Sequence, residues 1–272
     1  MERISSRKNE TVRRAAALLH GQARREQQAF LCEGARLCAD AADSGLVVRQ
    51  AFFTPDAAEK YAAYLARILP RARQAFLVEP PVAALLADTR ASQGVYCVCA
   101  TPARAQQSAA AFSAAHAEGA CVALERIQDP SNLGTILRTA EALGVSRVLL
   151  CGEGCDPFSP KALRGGMGAA FRMQLFRVQS LAQAAPGLRE AGWRLAAAVP
   201  DAGAVPVTRA DFSRPTVLAV GNEGAGLLPE TVAACDVRVT IPMRGRAESL
   251  NASASAAILL WEMMREGGPC RG

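Results

Sequence analysis

The sequence predicts an α/β protein of two domains, the second organised around a mainly parallel sheet. Helical and strand-like periodicities alternate through the first 100 residues and restart after residue 120. The strand-like runs of the second half, CVALE, RVLLC, QLFRV, WRLAAAV, TVLAV and VRVTI, are short and almost wholly apolar, as strands covered by helices on both faces must be. Between the halves, TPARAQQSAAAFSAAHAEG is rich in Ala, Ser and Gln and reads as a linker over 101–119. A chain of 272 residues, 50% hydrophobic and 21% charged, is long enough to bury a core in each domain and too apolar for disorder.

In the first domain, 1–100, the pattern predicts a helix over about 9–20, an apolar AFLCEG segment and a helix at about 34–43. A strand LVVRQAFF, a helix from Pro55 to about 69, a strand QAFLV, a short helix over 81–87 and a strand GVYCVCA follow. In the second domain, 120–272, helical stretches separate most of the strands. Ligands of open α/β sheets bind beyond the carboxyl ends of the strands. The segments after CVALE, TVLAV and VRVTI are therefore the places to look for function.

Composition excludes several classes. No apolar run approaches the roughly 20 residues that span a bilayer. The first 25 residues spread charges throughout, where a signal peptide has an apolar core. A cytoplasmic protein with no membrane partner is expected. Nine cysteines, at 32, 38, 97, 99, 121, 151, 155, 235 and 270, lack the CxxC spacing of zinc or redox sites and read as buried thiols in a reducing compartment. The only histidines, His20 and His116, are distant in sequence from Cys151 and Cys155, so no metal site is expected.

The net charge is +6, and 28 of the 31 cations are arginine, the residue suited to bidentate phosphate contacts. Residues 1–25 carry +5 of it, through Arg3, Arg7, Lys8, Arg13, Arg14, Arg24 and Arg25 against Glu2 and Glu10. That asymmetry points to a polyanionic partner such as nucleic acid. A merely solvated basic helix face would account for the same charges.

After CVALE comes RIQDPSNLGTILRTAEALGV, where Asp129, Pro130 and Ser131 are helix-start residues and Gly144 a stop. Asn132 and Arg138, six apart, lie about 240° apart around a helix unless Asn132 belongs to the entry loop. Arg138 stands among apolar neighbours, either as a functional cation or as a side chain snorkelling from a half-buried helix.

After TVLAV comes GNEGAGLLPE, whose glycines allow close approach of main-chain N–H groups to a ligand. The pattern G-x-x-G-x-G is not the dinucleotide fingerprint, and no Lys-Ser/Thr follows as in a phosphate-binding loop. Glu223 inside this loop disfavours a phosphate, so a neutral or cationic ligand or an ordinary tight turn remains. After VRVTI comes IPMRGRAESLNASASAAILLWEMMRE, in which Arg244–Glu248 form a polar loop, Ser249 or Asn251 caps a helix, and small residues let another backbone pack close.

Taken together, Asn132-x-Gly134-x-x-x-Arg138, Gly221-x-Glu223-Gly224-x-Gly226 and Ile241-Pro242-Met243 … Ser249-Leu250-Asn251-x-Ser253 resemble the three motifs of the SpoU/TrmH family of RNA ribose 2′-O-methyltransferases. The resemblance covers 120–266. The opening ISSRKNETVRR … FLCEGARL is similar to the small RNA substrate-binding domain that precedes the catalytic domain in many members. The resemblance implies a C-terminal trefoil-knot methyltransferase domain, a homodimer formed through the knot region, and S-adenosyl-L-methionine as methyl donor without a metal. The donor would be held at positions matching Gly221, Gly226, Ile241 and Leu250, with Leu218 and Met243 nearby. The catalytic positions match Asn132, Arg138, Glu223, Ser249 and Asn251, and a basic substrate position matches Arg164. Ala252 and Ala254 depart from the pattern, standing where the family often has a larger β-branched residue.

Arg138 is expected to clamp the phosphate beside the reacting hydroxyl, because a guanidinium is a poor proton acceptor at neutral pH. Glu223 is expected to orient the loop or an Arg138–Asn132 pair, and Ser249 and Asn251 to shape the donor site. RNA contacts are expected from Arg7, Arg13, Arg14, Arg24, Arg25 and Arg164. Ribosomal RNA is preferred as substrate because of the appended domain. The alternatives are a transfer RNA 2′-O-methyltransferase, a base methyltransferase and a non-catalytic RNA-binding protein.

Overall fold

The computed structural model describes residues 2–113, 117–246 and 249–265. His116, Glu248 and Cys270 lie outside them. The chain forms two compact units, one of residues 1–102 with 156–171, the other of 103–155 with 172–272. The segment 156–171, placed by sequence inside the second domain, thus packs with the first unit.

The first unit carries a five-stranded mixed sheet of β1 (Glu2–Ile4), β2 (Ala29–Glu33), β3 (Val48–Phe53), β4 (Ala72–Val78) and β5 (Val95–Ala100), in the order β1-β4-β3-β5-β2. β1 and β3 run parallel to β4, and β5 runs antiparallel to β2 and β3. The helix expected over 9–20 is shorter, Glu10–Ala17 capped by Asn9, and a second helix, Gly21–Gln27, follows it. The helix expected from Pro55 is two helices, Pro55–Lys60 and Ala62–Ile68, broken at Tyr61. Val12, Leu18, Phe52 and Phe76 are buried in this unit's core, the two phenylalanine rings stacked at 5.2 Å.

The second unit is an eight-stranded sheet paired in parallel throughout: β6 (Gln107–Ser108), β7 (Ala120–Glu125), β8 (Arg147–Cys151), β9 (Gln174–Val178), β10 (Arg194–Ala198), β11 (Val205–Pro206), β12 (Thr216–Val220) and β13 (Val237–Thr240). Their order is β11-β13-β10-β12-β7-β8-β9-β6, so the chain builds outward from β7 in one direction and then returns to build in the other. That reversal brings the ends of β7 and β12 together, the kind of switch point where open sheets bind ligands. The stretch 101–119 contributes β6 and the helix Ala109–Ser113, held by buried Phe112 stacked 5.1 Å from Trp193. Its Ala-rich composition conceals this single aromatic anchor.

Proline sets the first turn of the helices Pro130–Ala142, Pro160–Gly166 and Pro229–Ala234, where its fixed φ and missing N–H cost nothing. No helix among the described residues is long and apolar enough to cross a membrane.

Candidate active site

Beyond the carboxyl ends of β10, β12 and β13 lies a cavity of about 310 Å3, lined by Val199, Pro200, Gly221, Glu223, Leu227, Ile241, Met243, Leu250 and Leu259 among others. The loop 221–228 forms one wall and closes on itself: Asn222 and Gly226 exchange main-chain hydrogen bonds of 3.0 and 2.9 Å. Asn222 Oδ1 accepts from the N–H groups of Gly224 and Ala225, and Gly226 sits at φ +69°, a conformation glycine adopts without strain. Gly221 is needed for a different reason. A Cβ there would lie 2.2 Å from Gly226 C and Leu227 N.

Glu223, on the cavity's lining, ties the three motifs together. Its carboxylate accepts from the main-chain N–H groups of Gln128 (3.2 Å) and Asp129 (3.1 Å) and from Asn132 Nδ2 (3.0 Å). Asn251 Nδ2 donates in turn to Asn132 Oδ1 (3.1 Å), while Asn251 Oδ1 caps the helix Ala252–Met264 through the N–H groups of Ser253 and Ala254. Each amide therefore has its orientation fixed by a neighbour, which makes the Asn251–Asn132–Glu223 chain a rigid clasp.

Partial burial pulls the Glu223 carboxyl upward, but the hydrogen bonds from Asn132, its own main chain, Gln128 and Asp129 outweigh it and hold the group below the usual 4.5. A carboxyl depressed by folding stabilises the native state above its unfolded value and loses that contribution as pH falls through the lower folded value. The melting-temperature advantage of the wild type over Glu223→Gln is thus expected to persist from about pH 8 to 5 and to shrink below about 4.5. An advantage that grew with acidity would contradict the clasp.

Sequence reasoning missed Glu125. At the end of β7 it is only 2% exposed and accepts from the Leu228 N–H (2.8 Å) and from the hydroxyl of buried Thr231 (2.6 Å). One carboxylate fixes the far end of the cavity loop as Glu223 fixes the near end. A lone acid closing an apolar strand just before the first motif was the available signal, since a buried charge must be paired.

Of the other expected residues, Ser249 lines the cavity and Leu218 does not, being buried within β12. Asn132 is the third residue of the helix Pro130–Ala142, so Arg138 faces elsewhere, exposed and without an ion pair or hydrogen bond among the described residues. No Arg138–Asn132 pair forms. Arg7, Arg13, Arg14 and Arg25 are exposed, as an RNA contact requires. Arg24 corrects the expectation: it is 8% exposed, pairs with Asp156 at 2.7 Å and donates to the carbonyls of Leu18 and Leu19. Its charge is used internally. Arg164 is half-buried and paired with Asp88 at 2.6 Å. The eight cysteines among the described residues are free thiols, and no cluster of three or more His, Cys, Asp or Glu there is arranged to hold a metal.

The parallel sheet carries a cavity beyond its strand ends, lined by the second and third motifs and fastened to the first through Asn132, and comparison with known proteins gives the class: an α/β methyltransferase. The chain belongs to the SpoU rRNA Methylase family, which matches residues 119–261, and residues 9–97 match the MRM3-like substrate binding domain. It is 33% identical to an uncharacterized tRNA/rRNA methyltransferase of Synechocystis over 97% of this chain and 93% of that one. It is 28% identical to the 23S rRNA (guanosine(2553)-2′-O)-methyltransferase RlmP of Bacillus subtilis over 97% and 99%. The crystal structure of an AdoMet-bound rRNA methyltransferase from Sinorhizobium meliloti superposes with a TM-score of 0.84, at 31% identity and 97% coverage of each chain.

Proposed function

We propose that this protein transfers a methyl group from S-adenosyl-L-methionine to a ribose 2′-hydroxyl of ribosomal RNA in the cytoplasm. The observation that carries this reading is the clasp of Asn132, Glu223 and Asn251, which joins all three motifs beside one cavity. The cavity suits the donor: its walls are apolar at Leu227, Ile241 and Leu259, and the loop 221–228 and Ile241 offer main-chain groups without a cationic side chain that would repel a sulfonium. Gly221, Gly226, Ile241, Met243 and Leu250 would hold it. Bound there, it supplies a methyl on a positively charged sulfur, an electrophile that needs no metal to activate it.

The protein's part is positioning. Arg138, whose charge no described residue neutralises, grips the phosphate next to the reacting ribose and stabilises the oxygen as its proton passes to solvent water, the O–CH3 bond forms and the S–CH3 bond breaks to leave the donor as a neutral thioether. Asn132 and Asn251 hold the wall past which the hydroxyl approaches, and Ser249 shapes the mouth of the cavity. The carboxy-terminal segment is proposed to thread a trefoil knot, in keeping with the bare Gly221 and with buried Ala256 on the helix that packs against Pro130–Ala142. Labelled donor should carry its methyl into unmodified 23S rRNA. Label entering transfer RNA alone would move the substrate assignment.

The same helix supports a homodimer. Leu259 and Leu260 are buried within the chain, but Ile258 and Trp261, three residues apart on one face, are 39% and 56% exposed. Sedimentation at micromolar concentration is expected to show a dimer that Trp261→Glu converts to monomer. An active monomeric wild type would discard it.

RNA affinity is assigned to the exposed cations Arg7, Arg13, Arg14 and Arg25. Each phosphate contact to a single strand contributes about 0.7 to the log–log salt slope. Neutralising all four should flatten that slope by roughly 2–3 and leave donor affinity unchanged.

A further inference from the structure

Arg126 follows β7 directly and takes φ +55°, the left-handed conformation that is costly for any residue but glycine. Resting on the reading that the substrate is RNA, we propose that Arg126 grips the RNA backbone at the rim of the donor cavity, a substrate contact besides Arg138 that serves affinity rather than the chemical step.

The main chain here is fixed from both sides. The Arg126 N–H donates to the Cys151 carbonyl at 3.0 Å, and the Arg126 carbonyl accepts from Asn222 Nδ2 at 2.9 Å. The Cys155 N–H donates to the Ile127 carbonyl at 2.8 Å, and a Cβ added to Gly154 would lie 2.9 Å from that same oxygen. The surrounding chain therefore imposes the left-handed turn, and glycine would meet it at least cost. Two other non-glycine residues with positive φ are found among the described ones, Gln28 and Met167. They end the helices Gly21–Gln27 and Pro160–Gly166, where this conformation is an ordinary cap. Arg126 ends a strand, so capping does not account for it.

Nor does the side chain make a polar contact within the chain that would offset the strain. It is exposed, and its guanidinium has no ion pair or hydrogen bond among the described residues. Its stem is directed all the same. Arg126 Cγ lies 3.2 Å from where a Cβ on Gly152 would stand, so the bare glycine gives the stem its room while the head stays free. The neighbouring carboxylates are engaged elsewhere: Glu223 accepts from Gln128, Asp129 and Asn132, Asp129 caps the helix Pro130–Ala142, and Glu153 forms no ion pair with Arg126. Those carboxylates would repel a phosphodiester, and a guanidinium among them counters that repulsion. The position is one hydrogen bond from the cavity, because Asn222, which holds the Arg126 carbonyl, lines it. A ribose brought to the donor carries its own phosphates across this rim, where a backbone contact sets register.

The test is methylation of unmodified 23S rRNA by the full-length protein, with RNA as the varied substrate. Arg126→Gly suits the imposed backbone, so its melting temperature should hold or rise. Its KM for RNA should rise roughly tenfold, the range of one lost hydrogen bond to a charged group, with kcat within about twofold. Donor affinity by calorimetry should not move, and the log–log salt slope of RNA binding should fall by about 0.7–0.9. Arg126→Lys keeps the charge and should recover most of the KM. An unchanged KM in Arg126→Gly would overturn the proposal, since no substrate contact was lost. A melting temperature lowered by more than about 3 °C would overturn it too, since the side chain would then be structural. If the wild type methylates RNA and Arg126→Gly matches it, only the proposal falls; a wild type that methylates no RNA removes the functional reading as well.

Discussion

Replacing Arg138 by alanine is expected to lower methyl transfer by on the order of a thousandfold, the range seen when one charge-stabilising donor is removed, while donor affinity stays within a few-fold. The side chain is exposed, lies outside the donor cavity and has no partner within the described chain, so its loss leaves the cavity intact. Arg138→Lys discriminates between charge and shape. Lysine keeps a point charge but not the two-pronged fork that fits a phosphate, and turnover should fall at least about a hundredfold, or roughly 2.7 kcal/mol. Single-turnover methylation alongside donor titration would measure both quantities. Near-normal turnover by Arg138→Lys would mean that charge alone suffices.

Gly221→Ala should abolish donor binding, raising the dissociation constant by more than about a hundredfold. The new methyl would sit 2.2 Å from Gly226 C and Leu227 N and 2.5 Å from Gly226 O. These are main-chain atoms held by the Asn222–Gly226 hydrogen bonds and by Glu125 on the Leu228 N–H, so no flexible side chain can move aside. The loop must open, and it is a wall of the cavity. Gly245, by contrast, has nothing within 4 Å of an added Cβ, and Gly245→Ala should bind the donor as the wild type does. Calorimetric titration of the two variants makes the comparison, and tight binding by Gly221→Ala would refute the assigned cavity.

The six long strands of the catalytic sheet were legible because a strand buried on both faces writes itself as a continuous apolar run. β6 and β11, two residues each, are too short to have a period, and β1 is hidden inside a run of charges. Asn251 as a helix cap and Gly221 as a point of close approach could be read locally. In the sequence Glu223 reads as orienting its loop or an Arg138–Asn132 pair; in the fold it does hold Asn132, but without Arg138 and together with the main chain of Gln128 and Asp129. The groups it holds lie more than 90 residues away in sequence, so only the folded chain shows that it fastens the first motif to the second. Arg24 fails for the same reason in reverse: a count of charges registers a cation, and the partner that consumes it, Asp156, is 132 residues distant. The placement of 156–171 with the first unit likewise rests on non-local packing, including Phe158 and Phe171 against Phe30 at 4.6 and 5.5 Å.

The chemistry of the methylated product tests the reading most directly. Ribosomal RNA labelled by the protein from methyl-tritiated S-adenosyl-L-methionine should be hydrolysed in alkali and its fragments separated by size. A methyl on the 2′-oxygen removes the nucleophile that attacks the neighbouring phosphate, so the label should appear in alkali-resistant dinucleotides. Label released in mononucleotides would place the methyl on a base and contradict the assignment of Arg138 and the clasp to a ribose hydroxyl.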